Sequence, residues 1–143
     1  LYGFTILVGE GCESMDIVLA RYPKRAGWSG SGFCKTQYAN EKGIENFLKC
    51  HLSVINILDC LKELGWVKKV SDESNYWEKR SIPELTKEIG EWDAFIAAFA
   101  GKLKDAIGTA GQEAPILNRP DFEHLEFKGL QKNPKLPNFP QLA

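Results

Sequence analysis

His51 is the residue whose neighbours in the sequence most directly suggest chemistry. It falls within a three-four repeat of apolar residues, with Phe47 and Leu48 one turn before it and Val54 and Ile55 one turn after. A helix here therefore carries the imidazole on its buried face. A buried imidazole needs hydrogen-bond partners. One reading is a core histidine satisfied by a carbonyl or a hydroxyl. The other is a base or metal ligand that faces a cysteine on the preceding segment, and Cys34 stands there. A Cys34 and His51 pair would form the dyad on which a thiol nucleophile relies. Lys35 cannot stabilise that thiolate directly, because alternation along a strand sends it to the opposite face. Cysteine is also among the residues most often buried as an inert small hydrophobe. Cys34 and His51 are the candidate catalytic residues.

A second constellation is electrostatic. Arg21, Lys24, Arg25 and Lys35 lie in a stretch with no acid between positions 21 and 35, interleaved with Tyr22, Trp28 and Phe33. Cations and aromatic rings together can track a phosphate backbone and stack bases, or cover an anionic ligand; four basic residues on a loop are more often simple solvation. Trp28 is the informative member, because a large apolar ring between glycines in a loop lids a pocket or seats in an interface. Arg21, Lys24, Arg25, Trp28 and Lys35 are the candidate ligand-binding residues.

Other patterns carry less. A zinc site would have to be assembled from Cys12, Cys34, Cys50, Cys60, His51 and His124 with no C-x₂-C pair to preorganise it, so neither metal nor cofactor is expected. The turn Gly9-Glu10-Gly11-Cys12-Glu13-Ser14 follows an apolar run but lacks a lysine and puts two glutamates where a phosphate would sit, which excludes nucleotide binding there. Cys50 and Cys60 are separated on one helix by about 15 Å of helical rise and cannot bridge. The four cysteines are read as reduced and the protein as cytoplasmic, although an even number admits three pairings in an oxidising compartment. Leu1-Tyr2-Gly3-Phe4 has neither an initiator Met nor a signal-peptide pattern, so a processed or trimmed start is expected.

The elements that must position these residues follow from periodicity. Tyr2 to Val8 reads as a strand, Ser14 to Tyr22 as either strand or helix, Lys24 to Gly32 as a glycine-rich surface loop, and Phe33 to Ala39 as a second strand. Helical spacing runs from Glu41 to Gly65, with Asn40 as its N-cap and Gly65 as a left-handed C-terminal residue. Residues 66 to 70 and 76 to 80 flank a polar turn and read as a β-hairpin, on which Trp77 faces away from Tyr76 and Glu78. Ser81 and Glu84 have capping-box spacing. A second amphipathic helix then runs to Gly108 through Leu85, Ile89, Trp92, Phe95, Ile96, Phe99, Leu103 and Ile107. Burial of Trp92 and Phe99 on this stripe would make truncation of either to Ala cost about 3–5 kcal/mol. Five of the seven prolines lie beyond Gly108, so an irregular tail is expected, apolar enough to dock on the body or a partner.

The whole is an α+β domain: a two-layer sandwich over residues 1–108, its mostly antiparallel sheet covered by two amphipathic helices, with a tail at 109–143. The chain's 143 residues and 43% hydrophobic content suffice for one core. Net charge of -1 supplies no global field for nucleic acid or anionic membrane, and no apolar run is long enough to span a bilayer. The function expected is a non-enzymatic binding module for a protein or a small anionic ligand, with a homodimer slightly favoured over a monomer. The alternatives are a small enzyme using Cys34 or His51 in a pocket between helix 41–65 and the sheet, and nucleic-acid binding through loop 21–35, which the charge balance disfavours.

Overall fold

Aromatic and β-branched residues near the N-terminus form β1 (Tyr2–Ile6), and the ambiguous segment after the Gly9 to Gly11 turn is the strand β2 (Met15–Ala20). With β3 (Ser29–Phe33) they make a three-stranded antiparallel sheet in the order β1-β2-β3. The computed structural model describes residues 1–107 and 114–137, and its contacts divide the chain into two units, Leu1–Asp72 and Glu73–Ala143. The fold is α+β. No described helix is long and apolar enough to cross a membrane.

Tyr2 pairs with Leu19, Phe4 with Ile17 and Ile6 with Met15, so these six side chains share one sheet face. On the same face β3 contributes only Gly30 and Gly32, opposite Leu19 and Ile17. A Cβ at Gly30 would come within 2.8 Å of Leu19 Cδ2, so the leucine occupies the space that a β3 side chain would otherwise fill. The strand expected over Phe33 to Ala39 is thus displaced: it ends at Phe33, and its body is the Ser-Gly segment expected to be loop. Gln37–Lys42 is instead a short 3₁₀ helix.

α1 (Ile44–Glu63) turns its apolar stripe inward and buries Phe47, Cys50, His51, Val54 and Ile55. Gly43, with φ 99°, is its N-cap rather than Asn40, which is buried in the 3₁₀ helix. At the other end Gly65 is left-handed with φ 73°. Its N–H donates to the Lys62 carbonyl, and the Trp66 N–H donates to the Leu61 carbonyl, the paired bonds of a Schellman cap.

No hairpin forms over residues 66 to 80. Asn75 and Arg80 adopt φ of 55° and 54° and bracket the single-turn helix α2 (Tyr76–Lys79); left-handed residues at both ends take the backbone out of the extended path that strand pairing requires. α3 (Ile82–Ile107) follows. The Glu84 N–H donates to Ser81 Oγ at 3.4 Å, while the Glu84 carboxylate pairs with Lys79, so half of the expected capping box is present.

In the second unit α3 packs against α4 (Phe122–Lys132). An 11-residue helix here corrects the expectation of an irregular tail. Pro120 and Pro134 fall outside it, bracketing three turns instead of breaking them. The buried face of α3 also differs from the stripe of large residues. Leu85 and Ile89 are buried, but beyond them Ala94, Ala97, Ala98, Ala100 and Gly101 are covered, whereas Trp92 is 53% and Phe99 39% exposed. Small residues win this face because α4 approaches closely. A Cβ at Gly129 would overlap the Ala94 carbonyl and the Ala98 methyl. Phe122 and Leu125 complete the core with Ala97 and Ala100, and Ile116 and Leu117 pack against it.

Arg119 fixes the start of α4. Its Nε and Nη2 each donate to Asp121 at 2.9 Å, and Nη1 donates to Asp93 on α3 at 2.6 Å. The hydrogen bond from Arg119 holds the Asp121 carboxyl below its ordinary 3.8. A depressed carboxyl contributes stability that is present above its unfolded pKa and lost as pH falls through the folded value. Asp121→Asn should therefore flatten the fall of the urea midpoint on acidification through the carboxylate range, with little change in its slope at neutral pH. Gly129→Ala should destabilise by about 1–3 kcal/mol through overpacking. Gly90→Ala, also in α3 but with open space around its Cβ, should be neutral or stabilising by up to about 1 kcal/mol; urea unfolding of the two variants checks the helix pairing.

Candidate functional site

The amide of Asn46 on α1 donates to the Glu10 carbonyl at 2.8 Å and to the Ala39 carbonyl at 3.0 Å. It joins the β1-β2 turn to the 3₁₀ helix. One turn further on, Cys50 is fully buried, and a Cβ at Gly9 would lie 2.6 Å from its sulfur. The residue after it is His51. Its Nδ1 is 2.9 Å from the buried Thr36 hydroxyl, and its Nε2 is 3.7 Å from the Asp72 carboxylate. Phe47 lies against the ring at 5.5 Å between centroids.

Hydroxyl, imidazole and carboxylate thus stand in a row inside the first unit. The hydroxyl partner is the kind that the core-histidine reading requires. The candidate dyad meets a different geometry: the Cys34 thiol is 3.8 Å from Cys12 Sγ and donates to the Glu13 carbonyl at 3.3 Å. Burial raises the Cys34 thiol above its ordinary pKa, the reverse of what a nucleophile needs. Among the described residues, no group of three His, Cys, Asp or Glu side chains is arranged to hold a metal ion.

The basic residues separate into two places. Lys24 and Arg25 line an open cleft of about 610 Å³ with Tyr22, Pro23 and Ser29. The Arg25 guanidinium lies 5.9 Å from the Tyr22 ring centroid. Trp28, immediately before β3, packs its ring on Tyr2 at 5.6 Å between centroids, and both rings are more than half exposed. Arg21 is exposed at the start of the same loop. Lys35 is set apart: it lies 4.0 Å from the Glu13 carboxylate and over the rings of Phe33 and Tyr38. An exposed ion pair of that length contributes little, but it gives Lys35 an acidic neighbour that the cleft lining lacks.

No family model, curated protein or solved structure matches the chain.

Sequence reasoning missed the gathering of Cys12, Cys34 and Cys50, which lie far apart in the chain. The signal was the register: Asp16 pairs with Phe33, so Cys12, before β2, and Cys34, after β3, leave the hairpin at the same end. Once β3 is read as Phe33 to Ala39, that alignment disappears. For the histidine, Thr36→Val should cost about 1–3 kcal/mol by taking the hydroxyl from a buried ring nitrogen, while Thr36→Ser should keep most of the stability; urea midpoints of the pair check the contact.

Proposed function

We propose that the chain is a binding module that engages an acidic segment of a partner protein at the aromatic and cationic end of its sheet. The carrying observation is the cleft at Tyr22, Pro23, Lys24, Arg25 and Ser29, which brings two cations together with no carboxylate in its lining. The sequence holds no Asp or Glu between Ile17 and Asn40, so the loop itself carries no acid against Lys24 and Arg25. Beside it, Tyr2, Phe4 and Trp28 present half-exposed rings.

Arginine with aromatic rings is the composition that enriches interface centres. A broad open surface suits a polypeptide better than a small molecule, whose pockets enclose most of the ligand. Complementary charge gives such an encounter rate and orientation more than affinity. The thiol environment also supports a binding role over a catalytic one, since burial disfavours the thiolate at Cys34.

The test is a titration of the full chain with a fluorescent oligoglutamate peptide, alongside a neutral peptide and a short single-stranded oligonucleotide. The peptide should bind with an affinity that falls as salt rises, and Lys24→Ala with Arg25→Ala should weaken it about tenfold. Trp28→Ala should weaken it while leaving its salt slope unchanged. Equal binding of the neutral peptide, no effect of the double substitution, or tighter binding of the oligonucleotide would overturn the proposal.

A further inference from the structure

We propose that Cys12 and Cys34 form a redox pair that closes into a disulfide by exchange with a low-molecular-weight disulfide. The inference concerns residues outside the cationic cleft and does not rest on its ligand. Its basis is a local alignment of two chain segments. The Glu13 N–H donates to the Lys35 carbonyl at 3.3 Å, and the Cys34 thiol returns a bond to the Glu13 carbonyl at 3.3 Å. Residues 12–13 and 34–35 therefore run side by side, and the two sulfurs face each other at 3.8 Å. A disulfide needs about 2.05 Å between sulfurs, a closure of less than about 2 Å, which is within the reach of χ1 rotation when the backbones are already paired.

Access distinguishes this pair from the third cysteine. Cys12 and Cys34 are half-buried, Cys50 is fully buried beneath the Gly9 turn, and Cys60 is exposed on α1. A small disulfide can reach the first two but not Cys50, which lies within hydrogen-bond reach of Cys12 and so competes with Cys34 only in the second, intramolecular step. In the exchange, one of the pair loses its proton to solvent and its thiolate attacks a sulfur of the reagent. A mixed disulfide forms, and the displaced small thiolate is protonated. The second protein thiol then loses its proton and attacks the protein-side sulfur of the mixed disulfide, expelling the second small thiol. The two protein thiols give up two electrons and two protons, and the reagent's S–S bond is reduced to two thiols.

The electrostatics shape this chemistry. Burial, and then the neighbouring Cys34, push the Cys12 thiol up to about 12, and burial raises Cys34 as well. Exchange is consequently slow at neutral pH and quickens as pH rises. The disulfide would join positions 22 residues apart, clamping the open end of the β2-β3 hairpin.

The experiment incubates the purified full chain, native and in denaturant, with graded ratios of oxidised to reduced glutathione. Samples are quenched by alkylation of free thiols and read by intact mass and non-reducing peptide mapping. The native sample should lose two alkylation sites and yield one cross-linked peptide joining Cys12 to Cys34. The denatured sample should give mixed pairings. Cys50→Ser and Cys60→Ser should leave the native cross-link in place, and the oxidised wild-type chain should melt at higher temperature than the reduced one. Full alkylation of Cys12 and Cys34 at the most oxidising ratio, a persistent glutathione adduct on either, or a dominant link to Cys50 would overturn the proposal. The mapping needs no binding partner, so its outcome is independent of the oligoglutamate titration.

Discussion

A helix that buries an imidazole within its apolar stripe can dock only where the ring nitrogens meet partners. α1 meets this constraint with a hydrogen bond between the ring and the Thr36 hydroxyl at 2.9 Å, and the Asp72 carboxylate stands 3.7 Å from the other ring nitrogen. Apolar contacts alone would let the helix slide or rotate by part of a turn at small cost, since Phe47, Val54 and Ile55 are interchangeable surfaces to a non-directional force. The hydrogen bond removes that freedom. It holds the segment that follows β3 against the middle of α1, while Asn46 holds the β1-β2 turn and the 3₁₀ helix one turn earlier. The segments that carry Cys12 and Cys34, aligned by the β2-β3 register, are the ones that these two polar contacts hold against α1.

The second unit reaches the same end by steric fit. Ala94, Ala97, Ala98 and Gly101 on α3, with Gly129 on α4, leave room for the two backbones to approach. Close approach multiplies weak dispersion contacts and excludes water from a face that holds few large side chains. Arg119 sets the register of this pairing by bridging Asp93 and Asp121.

Much of the helical structure was legible because its signals are local. The three-four repeat from Ile44 to Leu61, Gly65 at the C-terminal cap, and Ser81 before the second long helix all appear where expected. What was misread depended on partners distant in the chain. Ser29–Phe33 contains two glycines and two serines, which are poor strand formers on their own, and it is a strand because β2 offers a ladder and Leu19 and Ile17 offer cover. The large residues of α3 mark its expected buried face, yet the approach of α4 at Gly129 favours alanine there and leaves Trp92 and Phe99 exposed. The cationic cleft was legible as a cluster of Lys24, Arg25 and aromatic neighbours, since the loop keeps them close whatever its conformation. The thiol pair was not, because its proximity is a product of strand register.

The composition of β3 has a consequence for motion. A strand of serine and glycine residues anchors no side chain in a core, and it is fastened by its ladder to β2 and by the two apolar side chains that lean across it. Detaching it exposes little apolar surface, so the free energy of that opening lies far below that of unfolding the unit. Residues 21–28 are tethered to the fixed β2 at one end and to this loosely held strand at the other. The surface that carries Lys24, Arg25 and Trp28 can thus change shape by peeling one strand while the core around α1 stays intact. Amide protons of β3 should accordingly exchange by local fraying, in a class separate from those of α1.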